Sequence, residues 1–486
     1  MRRTRTSALA ALALLNVFTL VAGLAVARML PPRLARLQIP VAAARAVVNA
    51  TPVLPPVGTL VTRLQATAAS PTASGLAAML GAALPPAATG AGVGVEVADA
   101  GTGQVLYSAN AGTPATPAST TKVVTAAAAL AVLGPDARFT TTVRHEGDTV
   151  VLVGGGDPTL AVNEYPSSDY PHPATLAQLA AGTARALKAQ GHQSVRLGYD
   201  TALFSGPDIA QGWTDSDIST GNVTSIVALE ADQGRLTPGG ALEDHDDQVN
   251  FRPRTTDPVG LTVRAFAALL ARDGITVIGA PTETADQRFA AAPVLASVSS
   301  PPLVAIAEQM LQESNNVIAE DLARHVAIAL GMPATFAGAA AADIAELRRL
   351  GIKTPISLVD GSGLSPRDAI APDTLIRVLA LAATTPKLRG VITGLPVAGF
   401  TGTLAAGASA FGGIGGMDGG TARGVVRAKT GNLTTVASLA GLVYDRSGNL
   451  LLFAIMTPRV PSAERLRQAV NAVDAAAAGL ARCGCS

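Results

Sequence analysis

Ser119 and Lys122 stand three residues apart in the stretch PASTTKVV, residues 117–124. In a helix that spacing puts both side chains on one face. A serine hydroxyl is a poor nucleophile without an adjacent base. Lysine can be that base when its free amine is populated; arginine cannot, because its pKa exceeds ~12. The chain has 36 Lys+Arg residues, and only Lys122, Lys188, Lys353, Lys387 and Lys429 are lysine. A lysine here, in a protein that otherwise uses arginine, therefore has a chemical reason, provided its surroundings disfavour the charge. An N-cap serine followed by a surface lysine would explain the pair without any chemistry, so the pair alone is a weak signal. Two further patterns follow in order: Ser314-Asn315-Asn316, an S-x-N, and Lys429-Thr430-Gly431, a K-T-G.

Each pattern needs an element to hold it. Pro114 and Pro117 precede the first, and TTKVVTAAAALAVL predicts a helix that stops at Gly134. QESNNVIAEDLARH puts the S-x-N at the head of a second helix, and VVRAKTGNLTTVASLAGLV puts the K-T-G in a strand. Upstream, SGLAAMLGAAL from Ser74 predicts a capped helix. VGVEVADAGTGQVLYS predicts a β-hairpin turning at Gly101 and Gly103. Before these, Arg2, Arg3 and Arg5 lead into an apolar run over 7–27, roughly 31 Å as a helix and long enough to cross a bilayer. Positive charge before the run keeps that end inside, so the rest of the chain is exported. Two fates fit residues 1–27, a signal peptide cleaved after Ala25-Val26-Ala27 and a retained membrane anchor; the length of the run favours the anchor. Residues 28–73 carry seven prolines and no Phe, Tyr or Trp, so they read as a linker that cannot offset its ordering entropy.

S-x-x-K, S-x-N and K-T-G in that order form the set shared by serine β-lactamases and penicillin-binding proteins. The chain resembles the class C low-molecular-mass penicillin-binding proteins, the D-alanyl-D-alanine carboxypeptidases/endopeptidases, over roughly residues 74–481. The likeness extends to VLVGGGDPTL, SLVDGSGLSPRD, LPVAGFTGTL and AKTGNLTTVASLAGLV. A compact serine β-lactamase is less similar, because Ser314 comes 195 positions after Ser119. The resemblance implies an α/β fold of the penicillin-binding/serine β-lactamase-like transpeptidase kind: an antiparallel sheet flanked by helices plus an all-helical part, with an inserted, mostly β region. Residues 74–143 and 293–486 would form the peptidase domain and 144–292 the insert. It also implies roles. Ser119 attacks a terminal D-Ala-D-Ala bond or a β-lactam. Lys122 takes the hydroxyl proton, its pKa lowered by the helix N-terminus and by Lys429. Ser314 relays a proton between Lys122 and the leaving amine. Asn316 bonds the substrate amide. Lys429 and Thr430 hold the substrate carboxylate, and Gly431 lets the strand come close to the substrate. The N–H groups of Ser119 and Asn432 receive the oxyanion. Peptidoglycan stem peptides are the implied partners, β-lactams the implied inhibitors and the cell envelope the implied location. A serine β-lactamase and a non-catalytic wall-binding protein are the alternatives.

Composition narrows the field further. A net charge of +1 gives no electrostatic case for nucleic acid. Hydrophobic content of 48% with 3% aromatics is a globular composition built on alanine, not that of a multi-span membrane protein. Cys483 and Cys485 lie in the last four residues, which excludes a core disulfide framework and a Cys-rich zinc site. They could pair locally, link to a partner or stay as exposed thiols. The single histidines form no zinc-type pair, and Gly154-Gly155-Gly156 lacks the Gly-Lys-Ser/Thr of a phosphate loop. The cluster Glu243-Asp244-His245-Asp246-Asp247 matches no metal-site spacing and reads as a solvated loop. No cofactor or metal is expected. Trp213, the one tryptophan, reads as a packing residue.

Overall fold

Period-two alternation builds the central sheet. The computed structural model describes residues 69–164, 170–236, 252–284, 289, 291–405, 422–460 and 462–485. The apolar run over 7–27, most of the linker and the acidic cluster at 243–247 lie outside them. Among the described residues, no helix is long and apolar enough to cross a membrane. The expected hairpin is present as β1 (Gly94–Asp99) and β2 (Val105–Ala109). With three C-terminal strands it forms an antiparallel sheet in the order β11 (Val426–Leu433), β12 (Val436–Tyr444), β13 (Leu450–Met456), β1, β2. In β13, Leu451, Phe453 and Ile455 join the core on one face, and Leu452, Ala454 and Met456 the core on the other. That is the two-sided pleat of a strand covered on both faces.

The first face is covered by α1 (Ala73–Ala83) and a long C-terminal helix, Ala463–Arg482. Cys483 and Cys485 are joined as a disulfide. The carbonyl of Cys485 accepts hydrogen bonds from the backbone N–H (2.7 Å) and hydroxyl (2.9 Å) of Thr72, the N-cap of α1. The second face meets the helical part. Its centre is α2 (Thr121–Leu133), capped by Gly134 as predicted, with every residue from Thr121 to Ala131 buried. Its alanines leave room for close packing on the helices Leu303–Glu313, Asn316–Ala329, Phe336–Arg349 and Pro372–Thr384.

Between α2 and the S-x-N the chain builds a second sheet. Its strands are β3 (Thr140–Glu146), β4 (Thr149–Val153), β5 (Ser194–Asp200), β6 (Thr276–Val277), β7 (Thr282–Glu283) and β8 (Val294–Ser299). The outgoing β3 and the returning β8 pair antiparallel, so the insert begins and ends on one rib. The sheet thus starts at 140 and closes at 299, around the expected limits of 144 and 292. Strands β4 and β5 are parallel, which requires a crossover, and the helix Leu176–Ala189 supplies it. A second long helix, Pro258–Arg272, packs beside it. Residues 201–235 lean on the helices Asn316–Ala329 and Phe336–Arg349. Phe204, Trp213, Ile218 and Val223 share a core with Val317 and Phe336. Trp213 is a packing residue, as read, but its indole N–H also donates to Asp360 at 2.8 Å.

Candidate active site

Ser119 sits on a 3-10 turn, Ala118–Thr120, that feeds into α2. Ala118 has φ 49°, a conformation that costs a non-glycine residue about 1–3 kcal/mol. The surroundings hold it there. Thr121 Oγ1 donates to the Ala118 carbonyl at 3.0 Å, and Thr120 Oγ1 to that of Pro117 at 2.7 Å. Ser438 Oγ, from β12, lies 2.5 Å from the Pro117 carbonyl and 3.1 Å from that of Gly431. Gly431 has no space for a side chain: a Cβ would stand 2.2 Å from Ser438 Oγ, 2.5 Å from Pro117 O and 3.0 Å from Thr120 N. The close approach that glycine permits here is between the edge strand β11 and the turn carrying Ser119.

Lys122, one turn on, is fully buried. Its Nζ donates to Ser119 Oγ at 3.0 Å, Asn316 Oδ1 at 2.6 Å and the Ser362 carbonyl at 2.7 Å. Burial pulls its pKa down from 10.5 to about 7, against the upward pull of Asp360, Glu320 and Asp368. The expected causes were the helix N-terminus and Lys429; removal from water lowers it instead. Glu320 and Asp360 are held by the loop Asp360–Ser365, which lies between the short paired strands β9 (Ile356–Ser357) and β10 (Ala369–Ile370). Glu320 accepts from the N–H groups of Gly361 and Ser362, and Asp360 from those of Ser362, Gly363 and Ser365. This network fixes the Ser362 carbonyl that Lys122 uses.

The S-x-N forms a joint between helices. Ser314 ends the helix Leu303–Glu313 in a left-handed conformation (φ 58°), and Asn315 caps the next helix, accepting from Ile318 N at 3.2 Å. Ser314 Oγ accepts from Lys429 Nζ at 2.9 Å and is not among the acceptors of Lys122. Lys429, fully buried in β11, also donates to the Thr430 carbonyl at 2.8 Å. Burial, and then the charge of Lys122, hold its pKa well below the usual lysine range. Asn316, expected to face the substrate amide, has its carboxamide engaged at both ends: Oδ1 takes the Lys122 bond and Nδ2 donates to the Asn222 carbonyl at 2.9 Å. Thr430 Oγ1 lies 2.9 Å from Thr403 Oγ1. Asn432 follows, half-buried on the same edge strand. The fold thus joins Ser119, Lys122 and Asn316 by direct bonds, and Ser314, Lys429 and Thr430 in a second group beside them.

Ser362, Thr403, Ser438, Asn222 and Gln233 had no assigned role from sequence. The first two lie in SLVDGSGLSPRD and LPVAGFTGTL, which carried the resemblance without a function. The insert residues Asn222 and Gln233 had no local signal at all.

A turn carrying Ser119 at the head of a buried helix, faced by the K-T-G edge strand of an antiparallel sheet, defines the penicillin-binding/serine β-lactamase-like fold class. The solved structure of penicillin-binding protein 4 from Haemophilus influenzae shares this fold, with a TM-score of 0.64 at 24% identity over 81% of this chain and 97% of that one. The chain belongs to the D-Ala-D-Ala carboxypeptidase 3 (S13) family, whose sequence profile matches residues 76–241 and 230–480. It is 38% identical over 450 residues to carboxypeptidase DacB of Mycolicibacterium smegmatis, covering 90% of this chain and 91% of that one. It is 30% identical over 438 residues to a D-alanyl-D-alanine carboxypeptidase of an Actinomadura species, covering 75% and 77%. The protein is thus an enzyme, a peptidase of the D-Ala-D-Ala carboxypeptidase type.

Proposed function

We propose that this enzyme cleaves the terminal D-Ala-D-Ala bond, and related cross-link bonds, of peptidoglycan stem peptides through an acyl-enzyme on Ser119, and that β-lactams are trapped on the same serine. The observation that carries this reading is the 3.0 Å bond from a fully buried Lys122, with a pKa near 7, to Ser119 Oγ. At neutral pH about half of that lysine is a free amine able to take the hydroxyl proton. As Oγ attacks the carbonyl, the oxyanion is received by the N–H groups of Ser119 and Asn432. Ser314, whose hydroxyl rests on Lys429 in the free enzyme, turns toward Lys122 and relays its proton to the leaving amine, the C–N bond breaks and D-alanine departs. Water then hydrolyses the ester. Lys429 and Thr430 hold the substrate carboxylate, and the arriving anion favours the charged form of Lys429 that burial otherwise disfavours. Asn316 reaches the substrate amide through the second lone pair of Oδ1 while holding Lys122. Gly431 keeps the strand against the Ser119 turn.

The enzyme works in the cell envelope after export, with residues 1–27 as signal or anchor and 28–73 as a linker. The peptidase domain is 74–143 with 293–486, and 144–292 is the insert. The test is intact-protein mass spectrometry after incubation with benzylpenicillin. Wild type should gain the mass of one antibiotic, lose it slowly and show little steady turnover of nitrocefin; Ser119→Ala should gain nothing. An adduct that persists in Ser119→Ala removes that serine from the mechanism.

A further inference from the structure

We propose that Gln233, supplied by the insert, is a positioning residue for the Ser314–Asn316 joint, so that acylation of Ser119 depends on its bond to Asn315. The proposal rests on the acyl-enzyme reading above and adds a specific task for the insert.

Gln233 is 4% exposed and has φ 55°, directly after Asp232 at φ 51°. Two successive non-glycine residues in the left-handed region persist only where the surroundings fix them. Here the surroundings are hydrogen bonds. Oε1 of Gln233 accepts from Asn315 Nδ2 at 2.6 Å, Nε2 donates to the Pro158 carbonyl at 3.1 Å, and the backbone carbonyl accepts from Arg254 Nη1 at 2.8 Å. The other end of the Asn315 carboxamide caps the helix that begins at Asn316. One side chain therefore ties the insert to the helix head. Its two chain neighbours are the residues that bond the catalytic lysines, Ser314 to Lys429 and Asn316 to Lys122. The insert grips the joint a second time through the Asn222 carbonyl on Asn316.

Without the Gln233 carboxamide, Asn315 Nδ2 keeps only Glu313 Oε2, at 3.3 Å. The insert then holds the helix head through the Asn222 contact alone, and the bond from Lys122 to Asn316 Oδ1 weakens. A charged Lys122 has three protons and three acceptors; weakening one of these bonds disfavours the charged form. The other titratable groups that face Lys122 stay in place: Glu320 on the helix Asn316–Ala329, Asp360 and Asp368 between β9 and β10, and Lys429 on β11. The free amine should therefore appear at lower pH.

The experiment compares benzylpenicillin acylation of the full chain across pH for wild type, Gln233→Leu, Gln233→Asn and Gln233→Glu. Gln233→Leu should acylate about tenfold to a hundredfold more slowly, with the acidic limb of its profile displaced to lower pH. Gln233→Asn, one methylene shorter, should show the same displacement and decides the matter if the leucine variant does not fold. Gln233→Glu keeps an oxygen for Asn315 and should recover most of the rate. A wild-type limb in Leu or Asn variants, or equal damage from Asn and Glu, overturns the positioning role, because a merely structural loss slows acylation without moving the limb. A wild type that takes up no penicillin overturns the acyl-enzyme reading instead, and this inference with it.

Discussion

Lys122 has three donors when charged and three acceptors around it, yet its pKa falls to about 7 because no water reaches it. Acylation should therefore rise with pH through a midpoint near 7, as the amine loses its proton. Lys122→Arg keeps a charge but cannot become a base, so benzylpenicillin acylation should be almost abolished at every pH; a near wild-type rate would reduce Lys122 to an electrostatic role. Lys429 has a different task. Lys429→Ala should slow acylation by peptides with a free C-terminal carboxylate by roughly tenfold to a hundredfold, the effect of losing a charged hydrogen bond worth ~1.5–3 kcal/mol. Peptides amidated at the C-terminus should lose little more. Burial and the charge of Lys122 lower the pKa of Lys429, whereas Lys429 is not among the charges that set the pKa of Lys122. Lys429→Ala should therefore leave the acidic limb near pH 7. Equal losses for both substrates would leave Lys429 without a carboxylate to recognise.

Strand β11 and the turn carrying Ser119 are held together by what Gly431 lacks. Ser438, paired with Gly431 in the ladder, points its hydroxyl into the same crevice, where Thr120 Oγ1 lies 3.4 Å away. Gly431→Ala would push a methyl group into backbone atoms that cannot rotate away. Strand and turn must separate, at a cost of about 1–3 kcal/mol in stability. The distance from Ser119 to the Asn432 N–H changes with it. Acylation by penicillin and by free-acid and amidated peptides should fall together, by tenfold or more, in contrast to the selective loss in Lys429→Ala. Selective loss of the free-acid peptide in Gly431→Ala would show that the glycine serves the carboxylate site.

Across the whole molecule, buried carboxyls make stability and activity run in opposite directions with pH. Burial raises the pKa of Glu230 and Glu320 to about 8, and of Asp343 to about 7. Folded, these groups keep protons that the unfolded chain releases near pH 4–4.5. The stability they contribute is complete below the unfolded values and is lost as pH rises through about 7 to 8. Lys122 has the opposite sign, but its contribution changes only between about 7 and 10.5. The melting temperature should therefore fall from pH 5 to pH 7 while acylation accelerates. Asp343 lies 3.2 Å from Thr125 Oγ1 in α2. Asp343→Asn, which mimics the protonated form, should remove about 1.4 kcal/mol per pH unit of that slope. A melting temperature that is flat or rising over pH 5 to 7 would mean that these carboxyls are ionised in the folded enzyme.

Local spacing and periodicity were enough to place the three motifs on their elements. Ser119 and Lys122 lie at the start of a helix because Pro117 precedes them and Gly134 ends the run; Asn315 and Asn316 head a helix, with Ser314 ending the one before; Lys429 to Gly431 lie in an alternating apolar strand. These are short-range properties, set by backbone conformation within a few residues. The chemistry of the site is long-range. The Ser362 carbonyl reaches Lys122 from 240 positions away, and Gln233 reaches Asn315 across 82. Whether a lysine is an ammonium or a base depends on the water it loses, and that loss is produced by every element packed around it. The partner of Ser314, the two-ended engagement of Asn316 and the neighbour that Gly431 admits were decided in the same way, by which distant segments meet. Sequence alone thus placed the S-x-x-K, S-x-N and K-T-G motifs on their elements; the tertiary structure decided the protonation and the partners of their side chains, because burial and convergence are properties of the whole fold.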